Sequence, residues 1–159
     1  MSFEYMYIDS PVGKLLLAGK NEVIHYLSFP SGKMHFQPKP DWQYNPATLS
    51  QARQQIAAYF AGQLKQFDLA IAPNGSVFQM QVLDALQQIP FGEMRSYKDI
   101  AHTIGRPQSM RAVGAANGRN PIPLIIPCHR VIGANGSLTG FGGGVGTKAF
   151  LLRLEGAIN

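Results

Sequence analysis

The stretch Ser96-Tyr-Lys-Asp-Ile-Ala-His-Thr-Ile-Gly105-Arg-Pro-Gln-Ser-Met-Arg111-Ala-Val-Gly-Ala-Ala-Asn117 decides the fold of this chain. Ser96 and Asp99 stand three residues apart, the spacing of a capping box, so a short helix starts there. Ile100, Ala101 and Ile104 mark its buried face. Gly105-Arg-Pro107 makes a tight turn, after which the pattern predicts a second helix over Ser109–Asn117. Two short helices across a glycine-containing turn fit a helix-turn-helix, whose second member enters a DNA groove. Ala112, Gly114 and Ala115 leave that second helix little bulk, so its backbone can approach a partner closely. Arg111, near its start, is then the long side chain able to reach between bases. The alternative is an αα-hairpin that packs these small residues on the core.

Charge favours the first reading. The chain of 159 residues has a net charge of +5, unevenly placed. Residues 1–72 carry six Lys/Arg against five Asp/Glu, whereas residues 73–159 carry eight against four. Six of those eight are arginines (95, 106, 111, 119, 130 and 153), whose planar fork suits phosphates and base edges.

Downstream lies Asn120-Pro-Ile-Pro-Leu-Ile-Ile-Pro-Cys128-His129-Arg130. Three prolines fix φ and remove backbone donors, so residues 120–127 are expected to be extended and stiff. This strap delivers Cys128, the only cysteine of the chain, with a histidine directly after it. A lone cysteine is most often a small buried hydrophobe, and reactivity depends on thiolate character and exposure. One cysteine permits no internal disulfide and no Cys-based zinc site, which points to a reducing compartment. The N-terminal Met-Ser-Phe-Glu-Tyr lacks the basic and apolar regions of a signal peptide, and no apolar run is long enough to span a bilayer. The expectation is a cytoplasmic protein.

Upstream, Phe3–Ile8, Lys14–Ala18 and Glu22–Ser28 read as strands, the last two as a hairpin across Gly19-Lys-Asn21. Leu49, Ala52, Ile56, Tyr59 and Phe60 repeat at helical spacing, with Gly62 ending that helix. A boundary falls near Ala72-Pro-Asn-Gly75, dividing the chain into 1–72 and 73–159. Ser76 with Gln79 then caps a core helix bearing Phe78, Val82, Ala85, Leu86 and Ile89. Beyond the cysteine, Gly142-Gly-Gly-Val-Gly-Thr-Lys148 is no phosphate loop, because threonine precedes lysine and no strand feeds it. Its glycines suit a loop lying against a flat ligand, with Phe141 as a wall. A last helix, Thr147–Glu155, puts a carboxylate at the negative end of the helix dipole. His129 is a candidate partner that would offset this and make Cys128, His129 and Glu155 a nucleophile, base and orienting acid; the alternative, which these residues alone favour, is a solvated helix end.

Pro127-Cys-His-Arg-Val131, with Arg111-Ala-Val-Gly114, Asn120-Pro121, Ser96-Tyr97 and the closing Leu154-Glu-Gly156, resembles the O6-alkylguanine-DNA alkyltransferases. The resemblance runs from about Asn74 to Gly156; the first third is similar mainly through Ser10-Pro-Val-Gly13 and the strand after it. It implies an α/β chain with a ribonuclease-H-like sheet-plus-helix domain at 1–72. A mostly helical, winged-helix-like domain would follow at 73–159. It implies repair of O6-alkylguanine by base flipping and irreversible, single-turnover transfer of the alkyl group to Cys128. His129 would generate thiolate through a bridging water, and Glu155 would orient His129. Tyr97 would supply a proton to the leaving base, and Asn120 would tie the recognition helix to the strap. Arg111 would fill the vacated stack from a helix in the minor groove, with Ser96, Ala112, Gly114, Ala115 and Arg119 also on DNA. Val131, Phe141, Gly142 and Pro123 would form the substrate pocket.

Double-stranded DNA carrying the lesion is the implied partner of a monomer that needs no membrane. The implied chemistry uses no cofactor, and the cysteine ligands of the zinc that some relatives hold are missing, so no metal is expected. Two residues depart from the family pattern: Phe141 stands where many relatives have tyrosine, and Gly142 replaces a larger small residue. Both are expected to tune alkyl range or inhibitor sensitivity. The rival readings are a cysteine hydrolase that turns over without DNA, and a DNA-binding module with an inert cysteine.

Overall fold

The structure is a computed structural model that describes residues 2–32, 36–139, 141 and 143–159. Its first half is a five-stranded sheet with one helix. Strands β1 (Glu4–Ile8), β2 (Leu15–Lys20) and β3 (Val23–Ser28) form an antiparallel meander. The short β4 (Gln43–Tyr44) and β5 (Ala70–Ile71) add parallel edges beside β1 and β3. The central strand explains the layering. Leu15 and Leu17 of β2 point into the main core, while Leu16 and Ala18 point out under Trp42, Phe3, Tyr5, Tyr26 and Phe36. The β2–β3 turn holds Asn21 and Glu22 at positive φ, the twist a tight hairpin favours. Gly19 cannot be replaced cheaply, since a Cβ there would lie 2.0 Å from the Val23 carbonyl oxygen.

Helix α1 (Ser50–Phe60) turns Ala52, Ile56 and Tyr59 onto the sheet and toward the second half. There α2 (Val77–Leu86) starts at the Ser76/Gln79 capping box and α3 (Tyr97–Thr103) at the Ser96/Asp99 box, both with reciprocal hydrogen bonds. Helix α4 (Met110–Gly118) follows across the Gly105 turn, and α5 (Val145–Leu154) closes the chain. Helix α5 starts at Val145, two residues before the expected Thr147, because Gly144 takes φ 99° as its N-cap. A two-residue parallel pair, β6 (Arg95–Ser96) with β7 (Val131–Ile132), ties the start of α3 to the segment after Cys128. Among the described residues, no helix is long and apolar enough to cross a membrane.

The strap is not extended. Residues 122–126 fold into a tight turn with Leu124 at φ 77°, and the Ile126 N–H donates to the Ile122 carbonyl at 3.0 Å. Asn120 imposes this: its Oδ1 accepts from the Ile122 N–H at 2.9 Å while its Nδ2 donates to the Ile126 carbonyl at 2.8 Å. Proline fixes φ but not the direction of the chain, and the buried amide supplies the bend.

Candidate active site

Cys128, His129 and Arg130 form one turn of 3-10 helix, all three buried. The Cys128 N–H donates to the Ile126 carbonyl at 2.7 Å, and its own carbonyl accepts from Asn117 Nδ2 at 3.3 Å. Burial pushes the thiol up to about 11, against hydrogen bonding from Asn120 and the charge of Lys148. At rest this is a protonated thiol.

His129 and Glu155 meet as the sequence suggested, Nε2 to Oε2 at 2.7 Å, with both side chains fully buried. The carboxylate accepts from that nitrogen, so the proton of a neutral imidazole sits on Nε2 and the lone pair on Nδ1. Among the described residues His129 Nδ1 has no hydrogen-bond partner, which leaves it available as a base. Burial lowers the His129 pKa, an effect that the Glu155 carboxylate opposes.

Glu155 carries more partners than the sequence showed. Arg130 grips it with Nε on Oε1 at 2.8 Å and Nη2 on Oε2 at 3.0 Å. Tyr59, from α1 of the other half, donates its hydroxyl to Oε2 at 2.7 Å. Burial alone would raise this carboxyl, but His129 and Arg130 hold it down to about 2. Arg130 also donates to the Ile89 carbonyl at 2.7 Å and lies over the Phe91 ring. It is thus a buried counter-ion and leaves the set of arginines free for a nucleic-acid face.

Lys148 is the other residue that the sequence reading passed over. Fully buried, it donates to the carbonyls of Val131 and Thr139, and burial lowers it to about 8. The signal was present: Lys148, Leu151, Leu152 and Glu155 repeat at i, i+3, i+4 and i+7, one buried stripe of α5. Tyr97 lies under this lysine, 5.8 Å from its ring centroid to Nζ, and donates its hydroxyl to the Thr139 carbonyl at 2.6 Å. Burial and the neighbouring Cys128 raise the Tyr97 phenol to about 12.

A cavity of about 10 Å³ touches Cys128. That is about the room one water needs, so a base enters only by displacing its walls. The walls include Asn120, Pro123, Gly143 and Phe29, which no motif had marked. Phe141 packs on Phe29, 5.6 Å between ring centroids. The Val131 carbonyl accepts from Lys148. A Cβ on Gly143 would strike Phe141 at 2.5 Å and Phe29 at 2.8 Å, which is why glycine stands there. Gly142 lies outside the described residues.

Beside this centre α4 turns Arg111, Ala112, Ala115 and Arg119 outward and buries Val113, Ala116 and Asn117. Gly114 is half-buried against the Tyr97 ring, and Ser96 is occupied as the N-cap of α3. The small residues therefore face both ways, toward the core and toward solvent.

Fold and site define a class: a helix-turn-helix protein with a buried cysteine backed by a histidine–carboxylate pair. Residues 77–157 match the 6-O-methylguanine DNA methyltransferase DNA-binding domain, and residues 4–73 match the ribonuclease-like domain of the same proteins. A methylated-DNA–protein-cysteine methyltransferase of Methanosarcina acetivorans is 50% identical over 153 residues, covering 96% of this chain and 98% of that protein. One from Mycolicibacterium paratuberculosis is also 50% identical, over 96% and 92%. The crystal structure of Mycobacterium tuberculosis OGT in complex with DNA superposes with a TM-score of 0.91 at 48% identity, over 97% of this chain and 93% of that one. The chain belongs to the 6-O-methylguanine DNA methyltransferase family.

Proposed function

We propose that this protein repairs O6-alkylguanine in double-stranded DNA by moving the alkyl group once and irreversibly to Cys128. The observation that carries the reading is the pairing of the single cysteine with the buried His129–Glu155–Arg130 network, in a chain related over nearly its whole length to cysteine methyltransferases. Residues 1–72 act as the structural domain and 73–159 as the DNA-binding and acceptor domain. The protein works as a monomer without metal or organic cofactor. A single cysteine suits the reducing cytoplasm, where we place it.

The lesion must leave the stack, because its O6 carbon is out of reach inside a duplex. Helix α4 approaches the DNA through Ala112, Gly114 and Ala115, with Ser96 and Arg119 at its flanks. Arg111 fills the gap left by the flipped base. Pro123 and Asn120 line the base site, and Val131 and Phe141 back its walls. Asn120 also fixes the bend that carries Cys128.

His129 Nδ1 takes the thiol proton through a water, and Glu155 holds the imidazole in the tautomer that can. The thiolate sulfur attacks the alkyl carbon, forming S–C as the C–O6 bond breaks and its electron pair passes to the purine. Tyr97 supplies the hydrogen bond or proton that this developing charge requires; a phenol near 12 keeps its proton until the base demands it. The products are guanine and S-alkylcysteine, and no step regenerates the thiol.

The experiment is the intact mass of the protein after incubation with a short duplex containing one O6-methylguanine, with Cys128→Ser as control. One added CH2 per molecule, mapped to Cys128, is the expected result. Lesion binding without a mass change would refute alkyl transfer and leave a lesion-binding protein.

A further inference from the structure

Tyr59 sits on α1 in the half of the chain that carries no chemistry of its own, 96 residues before Glu155. Its ring is 1% exposed and is boxed by Phe60, Phe67 and Phe91, at centroid distances of 5.2, 5.4 and 6.3 Å. A buried phenol needs an acceptor, and a backbone carbonyl would serve. This one uses Glu155 Oε2, the same oxygen that accepts from His129 Nε2. We propose that Tyr59 is a positioning residue of the Cys128 centre, holding the Glu155 carboxylate against His129 and setting how much of its charge the imidazole feels. The proposal rests on the reading of His129 as the base.

Three donors share Oε2: the Tyr59 hydroxyl, His129 Nε2 and Arg130 Nη2. An oxygen with three donors gives less to each than an oxygen with two. The groups that act on His129 are Glu155, Arg130 and Lys148, with Cys128 beside it in the chain, and Tyr59 of α1 reaches it through Glu155 Oε2. Arg130 and Lys148 oppose an imidazolium, and Glu155 alone favours one. Weakening or strengthening the Tyr59 bond therefore moves His129 in a fixed sense. Removing the hydroxyl frees carboxylate charge for the imidazole and makes it more basic. The packing of α1 on the second half thereby becomes part of the activation of the thiol.

The test uses the full chain, 15N-labelled at histidine, and follows the His129 ring through a pH titration in wild type and Tyr59→Phe. Alkyl transfer from free O6-benzylguanine is measured over the same range. The expected result is that the His129 midpoint and the acid limb of the rate move up together, by on the order of half a pH unit. An unchanged midpoint overturns the proposal even if Tyr59→Phe unfolds more easily, since a purely structural hydroxyl would do only that. Should Tyr59→Phe fail to fold, 3-fluorotyrosine at position 59 keeps ring and hydroxyl and makes a stronger donor. It must move the midpoint down, and no movement or the opposite one overturns the proposal. The titration needs no alkyl transfer, so it reads the Tyr59 proposal separately from the functional reading, which a wild-type protein gaining no mass from the O6-methylguanine duplex would refute.

Discussion

Arg130 and Glu155 meet through two parallel hydrogen bonds, Nε on Oε1 at 2.8 Å and Nη2 on Oε2 at 3.0 Å, in a site where the carboxylate is fully buried. The residue after the candidate base is thus the counter-ion of the acid that orients that base. A buried carboxylate without this fork would be protonated or would open its surroundings to water.

Arg130→Met is expected to destabilise the protein by about 3–5 kcal/mol, the cost of leaving a buried charge unpaired. Arg130→Lys should recover only part of this, because an ammonium cannot make both bonds of the fork. Urea unfolding of the two variants checks it. A loss well under that range for Arg130→Met would mean that Tyr59 and His129 suffice to hold Glu155.

Acid should unfold the protein in two stages. His129 and Glu155 both have folded-state pKa values below their unfolded ones, so the unfolded chain binds more protons as pH falls. The His129 contribution is complete above about 6.5 and is lost below it. That of Glu155 is complete above 4.5 and is lost toward about 2, on the order of 3 kcal/mol in all. Urea midpoints between pH 7 and 3 should fall accordingly, and Glu155→Gln should flatten the lower stage. A flat wild-type profile would contradict the network.

Small thiol reagents should label resting Cys128 slowly. A rise from 9.0 to about 11 lowers the thiolate fraction roughly a hundredfold at neutral pH, before burial restricts access. Iodoacetamide labelling of the folded and urea-unfolded chain measures the ratio. Fast labelling when folded would mean that the thiol is ionised without substrate. Slow labelling therefore does not mark an inert cysteine, and only the alkyl-transfer assay separates those readings.

Arg111→Ala should slow repair of duplex DNA more than reaction with free O6-benzylguanine, because Arg111 is exposed on α4 whereas Cys128 is buried. Single-turnover rates on both substrates decide it. Equal losses would remove the finger role.

Much of this was legible locally. The capping boxes at Ser76 and Ser96 signal through side chain and backbone three residues apart, so short-range chemistry sets both helix starts. The His129–Glu155 pair was only half legible: a carboxylate at a helix C-terminus is satisfied by water as readily as by a side-chain donor, and it was the family resemblance that favoured His129. Arg130 was misjudged with the exposed arginines, since charge counts carry no depth. The strap was misjudged because proline restricts φ while Asn120, through its amide, decides where the chain goes.

The sequence by itself determined the three-strand meander of the first half, the capped starts of α2 and α3, and the lone thiol with a histidine beside it. These depend on spacings of a few residues, where backbone geometry fixes which groups can meet. Only the tertiary structure decided that Tyr59 and Phe29, from the first half, reach the centre built by the second. It also decided that the thiol is buried, which pushes it further up than an ordinary cysteine. Both follow from burial and from contacts across nearly a hundred residues, which no local pattern encodes.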